Sequence, residues 1–290
     1  MSADGVPRPD RDTGQGTTAP GAARKGTAQP GTAAPTAAAP TAAAPTAVAL
    51  RGVEVRYGAD PALSAALDIA PGERVALVGP SGAGKSTLLG LCSGARPLAA
   101  GTMEVLGVDL AAASRRGLRA VRSRIGSVHQ GLDLVGPLTA LQNVSAGRLG
   151  RWGTARSLAS LVRPVDPGPA LEAMRRLGIE DLAGARTDRL SGGEQQRVAL
   201  ARVLVQDPAL VLADEPIASL DPGRARVVMD LLTEVVAGDA RTLLVSLHDF
   251  AAAQETCDRV VGLRRGEVVF DLPAGEVTAA HRDALYRLGA

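Results

Sequence analysis

Gly79-Pro80-Ser81-Gly82-Ala83-Gly84-Lys85-Ser86-Thr87 has the residue types and spacing of a loop that wraps phosphate oxygens. Glycines at Gly79, Gly82 and Gly84 free the backbone N–H groups to close around the oxygens, with Pro80, Ser81 and Ala83 completing the turn. Lys85 then meets the β- and γ-phosphates of a nucleoside triphosphate. The Ser86 hydroxyl is placed for a Mg²⁺ ion bridging those phosphates, and Thr87 enters the first turn of a helix whose positive end faces them.

Other groups suit the same chemistry. Leu210-Val211-Leu212-Ala213-Asp214-Glu215 is an apolar run closed by two carboxylates. Phosphoryl transfer depends on positioning and charge neutralisation, so the reading is Asp214 as a Mg²⁺-directed carboxylate and Glu215 as the base that orients the attacking water. His248 directly follows Leu243-Leu244-Val245-Ser246-Leu247 and can donate a hydrogen bond near the γ-phosphate. Gln130 closes Ile125-Gly126-Ser127-Val128-His129 and can offer its amide oxygen to the metal or its water. Ser191-Gly192-Gly193 opens a good helix with a capping serine and bare N–H groups, a second anion site.

These residues need a scaffold, and the pattern supplies one. Val75 to Val78 is a short apolar run feeding the loop, and Ser86 to Ser93 reads as the helix after it. Downstream, the expectation is helix Glu194 to Val205, strand Leu210 to Ala213, helix Gly223 to Val236, strand Thr242 to Leu247 and helix Phe250 to Thr256. Two short strands follow, Arg259 to Leu263 and Glu267 to Asp271. Alternating strand and helix predicts a mostly parallel sheet. Ahead of the loop, Val48 to Leu50, Val53 to Tyr57 and Ala66 to Ile69 read as an antiparallel β flap. From about Leu118 to Leu190 the pattern turns mostly helical, broken by Pro137, Pro164, Pro167 and Pro169, with Pro169 to Leu177 as its clearest helix. The fold class is α/β: a P-loop core with an N-terminal antiparallel flap and an inserted helical subdomain at about 118–190.

Composition bounds the rest. The chain has 290 residues, 46% of them hydrophobic and 21% charged, enough for a substantial core. Residues 1–47 are rich in Ala, Pro, Thr and Gly and read as a disordered tail, leaving 48–290 as the folded domain. A net charge of +2 and the lack of any run of five or more Lys/Arg give no footprint for nucleic acid. Cys92 and Cys257 lie far apart without metal-ligand spacing and read as small core thiols. No stretch approaches the roughly 20 apolar residues that span a bilayer. Asp4, Arg8, Asp10 and Arg11 stand where a secretory leader needs an apolar run, so the expected location is the cytosol.

The loop together with Leu190-Ser191-Gly192-Gly193-Glu194-Gln195-Gln196 resembles the ATP-binding subunits of ABC transporters, from Val48 to about Val277. The resemblance implies an ATPase using ATP and Mg²⁺ in a head-to-tail dimer of two such subunits, expected to be identical. Ser191, Gly192 and Gly193 would contact the γ-phosphate held by the other subunit's loop, and Asp221 would lie at the seam. Tyr57 matches the aromatic that stacks on adenine, Gln130 the glutamine that senses metal and membrane partner, Glu215 the catalytic base, and His248 the switch histidine. It further implies permease subunits, a separate substrate-binding protein, and a peripheral position on the cytoplasmic face of the membrane. The segment from Leu132 to Leu149 would receive a permease helix, or its leucines simply fill the subdomain.

Gly147-Arg148-Leu149-Gly150-Arg151, Leu212 to Pro222, Cys257-Asp258-Arg259 and Gly262-Leu263-Arg264 are similar to segments of the phosphonate-import branch. That similarity implies uptake of phosphonate or a related phosphorus compound. The alternatives are a transport ATPase for another cargo, in amino-acid import or in export, and a soluble ABC-type ATPase acting on nucleic acid. The tail, the Ser246-Leu247-His248-Asp249 segment and a somewhat short stretch between Tyr57 and Pro71 depart from the pattern.

Overall fold

The computed structural model describes residues 46–57, 60–129, 131–153, 156–157, 165–218, 220–237 and 241–286. The expected tail lies outside these residues except for its last two. Ala47 is buried, donating its N–H to Ile69 O at 2.8 Å and accepting from Leu106 N at 2.8 Å, so the last residue of the expected tail is already packed into the fold.

Among the described residues a 10-stranded sheet runs through the domain. Its parallel part is β9 (Arg259–Arg264), β3 (Arg74–Val78), β8 (Thr242–Leu247), β7 (Leu210–Asp214) and β6 (Ile125–His129), side by side in that order. These strands are short and almost wholly apolar because both faces are covered. The pleat sends alternate residues to opposite cores. Ala76, Val78, Val211, Ala213, Leu243 and Val245 face one core. Val75, Leu77, Leu210, Leu212, Leu244 and Val261 face the other.

The first core is closed by helices: α3 (Ala140–Ser145), α4 (Gly168–Arg176), α5 (Gly192–Gln206), α6 (Pro222–Val236) and α7 (Phe250–Thr256). The second is closed by α1 (Lys85–Cys92), α2 (Arg115–Arg122) and the antiparallel strands β1 (Val48–Tyr57), β2 (Asp60–Ile69) and β4 (Ala100–Val105). The small strand β5 (Val108–Asp109) edges β4, while β10 (Glu267–Pro273) pairs antiparallel with β9 and touches β2. Helix α8 (Ala279–Tyr286) ends the described chain. Cys92 and Cys257 are free and buried, and burial pushes their thiols up to about 12 and about 11.

Three local expectations change. The two strands expected between Val48 and Tyr57 are one, because Gly52 adopts φ +53° and absorbs a register shift within the β1–β2 ladder rather than ending it. Strand β2 begins at Asp60, well before Ala66. The stretch expected to be helical from Leu118 contains β6, the edge of the parallel sheet. Its apolar Ile125 and Val128 pair with β7, and the inserted helices begin only at Ala140.

Candidate nucleotide site

The register of the parallel strands brings the predicted groups to one sheet edge. Val78 is paired with Leu247, Asp214 with Ser246, and His129 with Asp214. The residues following the ends of β3, β8 and β7 are therefore Gly79, His248 and Glu215. Ligand groups of an open α/β sheet gather at this carboxyl edge.

The phosphate loop is shaped by its glycines. Gly79 has φ +151°, and a Cβ there would sit 2.1 Å from Leu263 O, so no other residue fits between β3 and β9. Gly84 at φ +103° turns the chain into α1. Within the loop Lys85 is 4% exposed, and its ammonium donates to Gly79 O at 2.8 Å and Pro80 O at 3.2 Å. Burial lowers its pKa, partly offset by the nearby Glu215 and Asp214 carboxylates. Glu215 Oε1 lies 3.9 Å from the Lys85 nitrogen.

Ser86 Oγ donates to Asp214 Oδ1 at 3.1 Å. Two hard oxygen donors thus stand together at the start of α1, and among the described residues no group of three or more His, Cys, Asp or Glu forms an all-protein metal cage. Such a donor set fits Mg²⁺, which takes few protein ligands and shares the rest of its shell with phosphates and water. Across the edge, His248 Nε2 and Glu215 Oε1 are hydrogen-bonded at 2.6 Å. Glu215 has φ +48°, an uncommon conformation for a residue with a side chain, which turns its carboxylate toward both His248 and Lys85.

Ser191 lies elsewhere in the chain's own structure, at the start of α5. Its hydroxyl accepts from Glu194 N at 3.4 Å, while Glu194 Oε2 accepts from Ser191 N at 2.7 Å and Ser191 Oγ at 2.8 Å. These bonds hold the Glu194 carboxyl below its ordinary pKa, the bond from the Ser191 N–H contributing most. A Cβ at Gly192 or Gly193 would meet nothing within 4 Å. A cavity of about 500 Å³ separates this turn from α6, bordered by Ser191, Gly192, Glu215 and Arg224. Asp221 caps α6, its Oδ1 accepting from Arg224 N at 3.0 Å.

Gln130 and the side chain of Tyr57 lie outside the described residues. Of the leucine-rich segment after Gln130, Leu134 and Leu141 pack on the core whereas Val135 is 53% exposed.

Several residues that organise the site were not singled out in the sequence. Ser246 Oγ bridges Asp214 and Glu215. Buried Gln196 donates to Pro216 O at 3.0 Å, fastening α5 to the turn after Glu215. Arg202 donates to Leu132 O at 2.8 Å and Asp133 O at 2.6 Å. Asn143 binds both Val135 N, at 2.8 Å, and Thr187 Oγ1, at 3.2 Å, linking that loop to the approach to Ser191. The signal for Ser246 was a serine within a strand otherwise built of Leu, Val and one Thr.

The strand, glycine loop, helix and paired carboxylate edge define a nucleoside-triphosphate-binding module of the phosphate-loop class. Residues 64–218 match the family described as "ABC transporter". The solved dimer of the ATP-binding cassette MJ0796, in a post-hydrolysis state bound to ADP and Pi, is 30% identical. It aligns over 78% of this chain and 98% of its own with a TM-score of 0.67. CbiO1 from Clostridium perfringens, part of a transporter complex, gives 28% identity and a TM-score of 0.69 over 84% and 96% of the two chains. The chain belongs to the ATP-binding, ATP-hydrolysing cassettes of the ABC transporter family.

Among individual relatives, "Phosphonates import ATP-binding protein PhnC" of Anaeromyxobacter dehalogenans is 52% identical over 82% of this chain, which spans 47% of that longer protein. "Phosphonates import ATP-binding protein PhnC 1" of Pseudomonas savastanoi is 43% identical over 82% of this chain and 90% of its own length. A PhnC 2 from Pseudomonas aeruginosa is 47% identical over 76% and 82% of the two chains.

Proposed function

We propose that this chain is the ATPase subunit of a phosphonate importer, coupling ATP binding and hydrolysis in a head-to-tail dimer of identical copies to movement of a membrane permease. The observation that carries the hydrolytic reading is the convergence of Lys85, Ser86, Asp214, Glu215 and His248 at one sheet edge. The cargo reading rests on the relatives named as phosphonates import proteins.

Lys85 carries buried positive charge on loop carbonyls, and a triphosphate entering the loop exchanges those neutral partners for anionic ones. Ser86 and Asp214 would hold Mg²⁺, which when bound supplies positive charge to the β- and γ-oxygens. Glu215 accepts a hydrogen bond from the water that attacks the γ-phosphorus, and His248 fixes the orientation of that carboxylate. The bond from γ-phosphorus to the bridging oxygen breaks, leaving ADP and phosphate. Gln130 and Tyr57 are assigned to the metal's water and to adenine.

The dimer is supported by the empty space above Gly192 and Gly193. Nothing in the chain's own fold requires glycine there, whereas a phosphate brought by a second copy, with Asp221 at the seam, would need the room. ATP binding closes this dimer and hydrolysis reopens it, a population shift set by nucleotide affinity. Among the described residues no helix is long and apolar enough to cross a membrane, so the transport path belongs to permease subunits fed by a separate substrate-binding protein. The chain would sit on their cytoplasmic face. Phosphonate uptake in the native host, compared between wild type and a chromosomal Glu215→Gln replacement with phosphate uptake as control, tests the whole reading. Selective loss of phosphonate uptake is expected, and unchanged uptake of both would remove the cargo assignment.

A further inference from the structure

Ser246 is fully buried in β8, directly across the ladder from Asp214, in a strand otherwise built of Leu, Val and one Thr. A hydroxyl in such a place must earn its desolvation through hydrogen bonds. It does so on both sides: Ser246 Oγ donates to Asp214 Oδ1 at 2.7 Å and accepts from Glu215 N at 2.9 Å. One atom therefore touches both consecutive carboxylate residues at the sheet edge.

We propose that Ser246 is a positioning residue for hydrolysis, holding the Asp214 carboxylate and the left-handed Glu215 backbone in their working geometry. The proposal rests on the reading of Asp214 and Glu215 given above. Glu215 at φ +48° needs a partner to hold it there, and the Ser246 oxygen is what its N–H finds. Asp214 Oδ1 is also shared, since Ser86 Oγ donates to the same oxygen at 3.1 Å. A Ser86 hydroxyl holding a metal ion would no longer donate to Asp214. Ser246 then remains to fix that carboxylate, so its effect is greatest in the loaded site. Ala or Val cannot supply the donor and acceptor together, whereas Thr can.

Loss of a hydrogen bond that orients a metal ligand typically lowers affinity or activity about 10- to 100-fold. Purified full-length Ser246→Ala and Ser246→Thr are compared with wild type and Glu215→Gln. The measurements are steady-state hydrolysis, ADP binding without divalent ion, Mn²⁺ binding to the ADP complex by electron paramagnetic resonance, and thermal midpoint. Ser246→Ala is expected to lose kcat about tenfold or more and to weaken Mn²⁺ similarly, with metal-free ADP affinity unchanged, and Ser246→Thr to recover most of both. Unchanged kcat and Mn²⁺ affinity in Ser246→Ala would overturn the proposal. So would losses that track a fall in metal-free ADP affinity and thermal midpoint, which mark a purely structural hydroxyl. If Glu215→Gln hydrolyses normally, the underlying reading of the site fails. If it is inactive while Ser246→Ala is normal, Ser246 alone is wrongly assigned.

Discussion

The phosphate loop and the Ser191 turn are both glycine-bearing helix starts, yet they are built on opposite logics. In the first, glycine is demanded from within: Gly79 lies against Leu263 O, Gly84 turns the chain into α1, and Lys85 is buried on its own loop carbonyls. In the second, glycine is demanded by nothing within. Gly192 and Gly193 face open space, and the turn's hydrogen bonds close locally between Ser191 and Glu194. On the function proposed above, the first is a site finished inside one chain and the second is half of a site that a second copy would complete.

Substitutions at the finished site should have the largest effect. Lys85→Ala and Glu215→Gln should each reduce hydrolysis about 10²–10³-fold, the scale for removing a preorganised charge or base. They should differ in binding. Lys85→Ala weakens nucleotide affinity in the isolated chain, measurable by calorimetry, whereas Glu215→Gln retains it and accumulates an ATP-bound dimer in sedimentation. Full ATP affinity in Lys85→Ala would break the comparison at its first term.

Gly193→Val addresses the half-site. It should leave the thermal midpoint and single-chain nucleotide affinity unchanged while lowering hydrolysis about tenfold or more by excluding the partner's phosphate, the loss expected for roughly 1.4 kcal/mol of transition-state contact. A variant that dimerises with ATP and hydrolyses normally would mean the open space has no occupant. Gly79→Ala is the converse. Its methyl meets a backbone oxygen that cannot step aside, so folding stability should fall by about 2 kcal/mol or more, read by urea unfolding. An unaffected midpoint would show the loop to be less tightly determined than its geometry implies.

How much of this could be seen in the sequence follows the same division. Helix Phe250–Thr256 and strand Thr242–Leu247 have the expected boundaries because a capping Asp249 and a continuous apolar run are local signals. The phosphate loop was legible because its glycines, Lys85 and Ser86 are contiguous. Strand β6 was not separated from the helical stretch, since five residues at a sheet edge have no period of their own and depend on pairing with β7. Ser246, Asn143 and Gln196 escaped for a related reason. Each has a partner distant in sequence, 32 residues for Ser246 to Asp214, 44 for Asn143 to Thr187 and 20 for Gln196 to Pro216, even though Asn143 also binds nearby Val135. On the proposed reading, what selects Gly192 and Gly193 lies farther still, in a second copy of the chain.

The smallest predicted effect concerns what braces the finished site from behind. Asp258 accepts from Arg74 N at 3.0 Å and from Arg74 Nη2 at 2.5 Å, tying the start of β3 to the start of β9 beneath the phosphate loop. The hydrogen bond from the Arg74 side chain holds the Asp258 carboxyl below its ordinary pKa. A depressed folded-state pKa makes the stabilisation fully present above the unfolded value of about 3.9 and lost as pH falls through the folded one. Solvent reaches both side chains, so screening limits the pair to about 1 kcal/mol or less. Asp258→Asn should therefore cost little at pH 7 and flatten the acid limb of the stability curve, read by urea unfolding between neutral pH and pH 3. An acid limb as steep as wild type would place that dependence in other carboxylates, and with it the brace that the loop rests on.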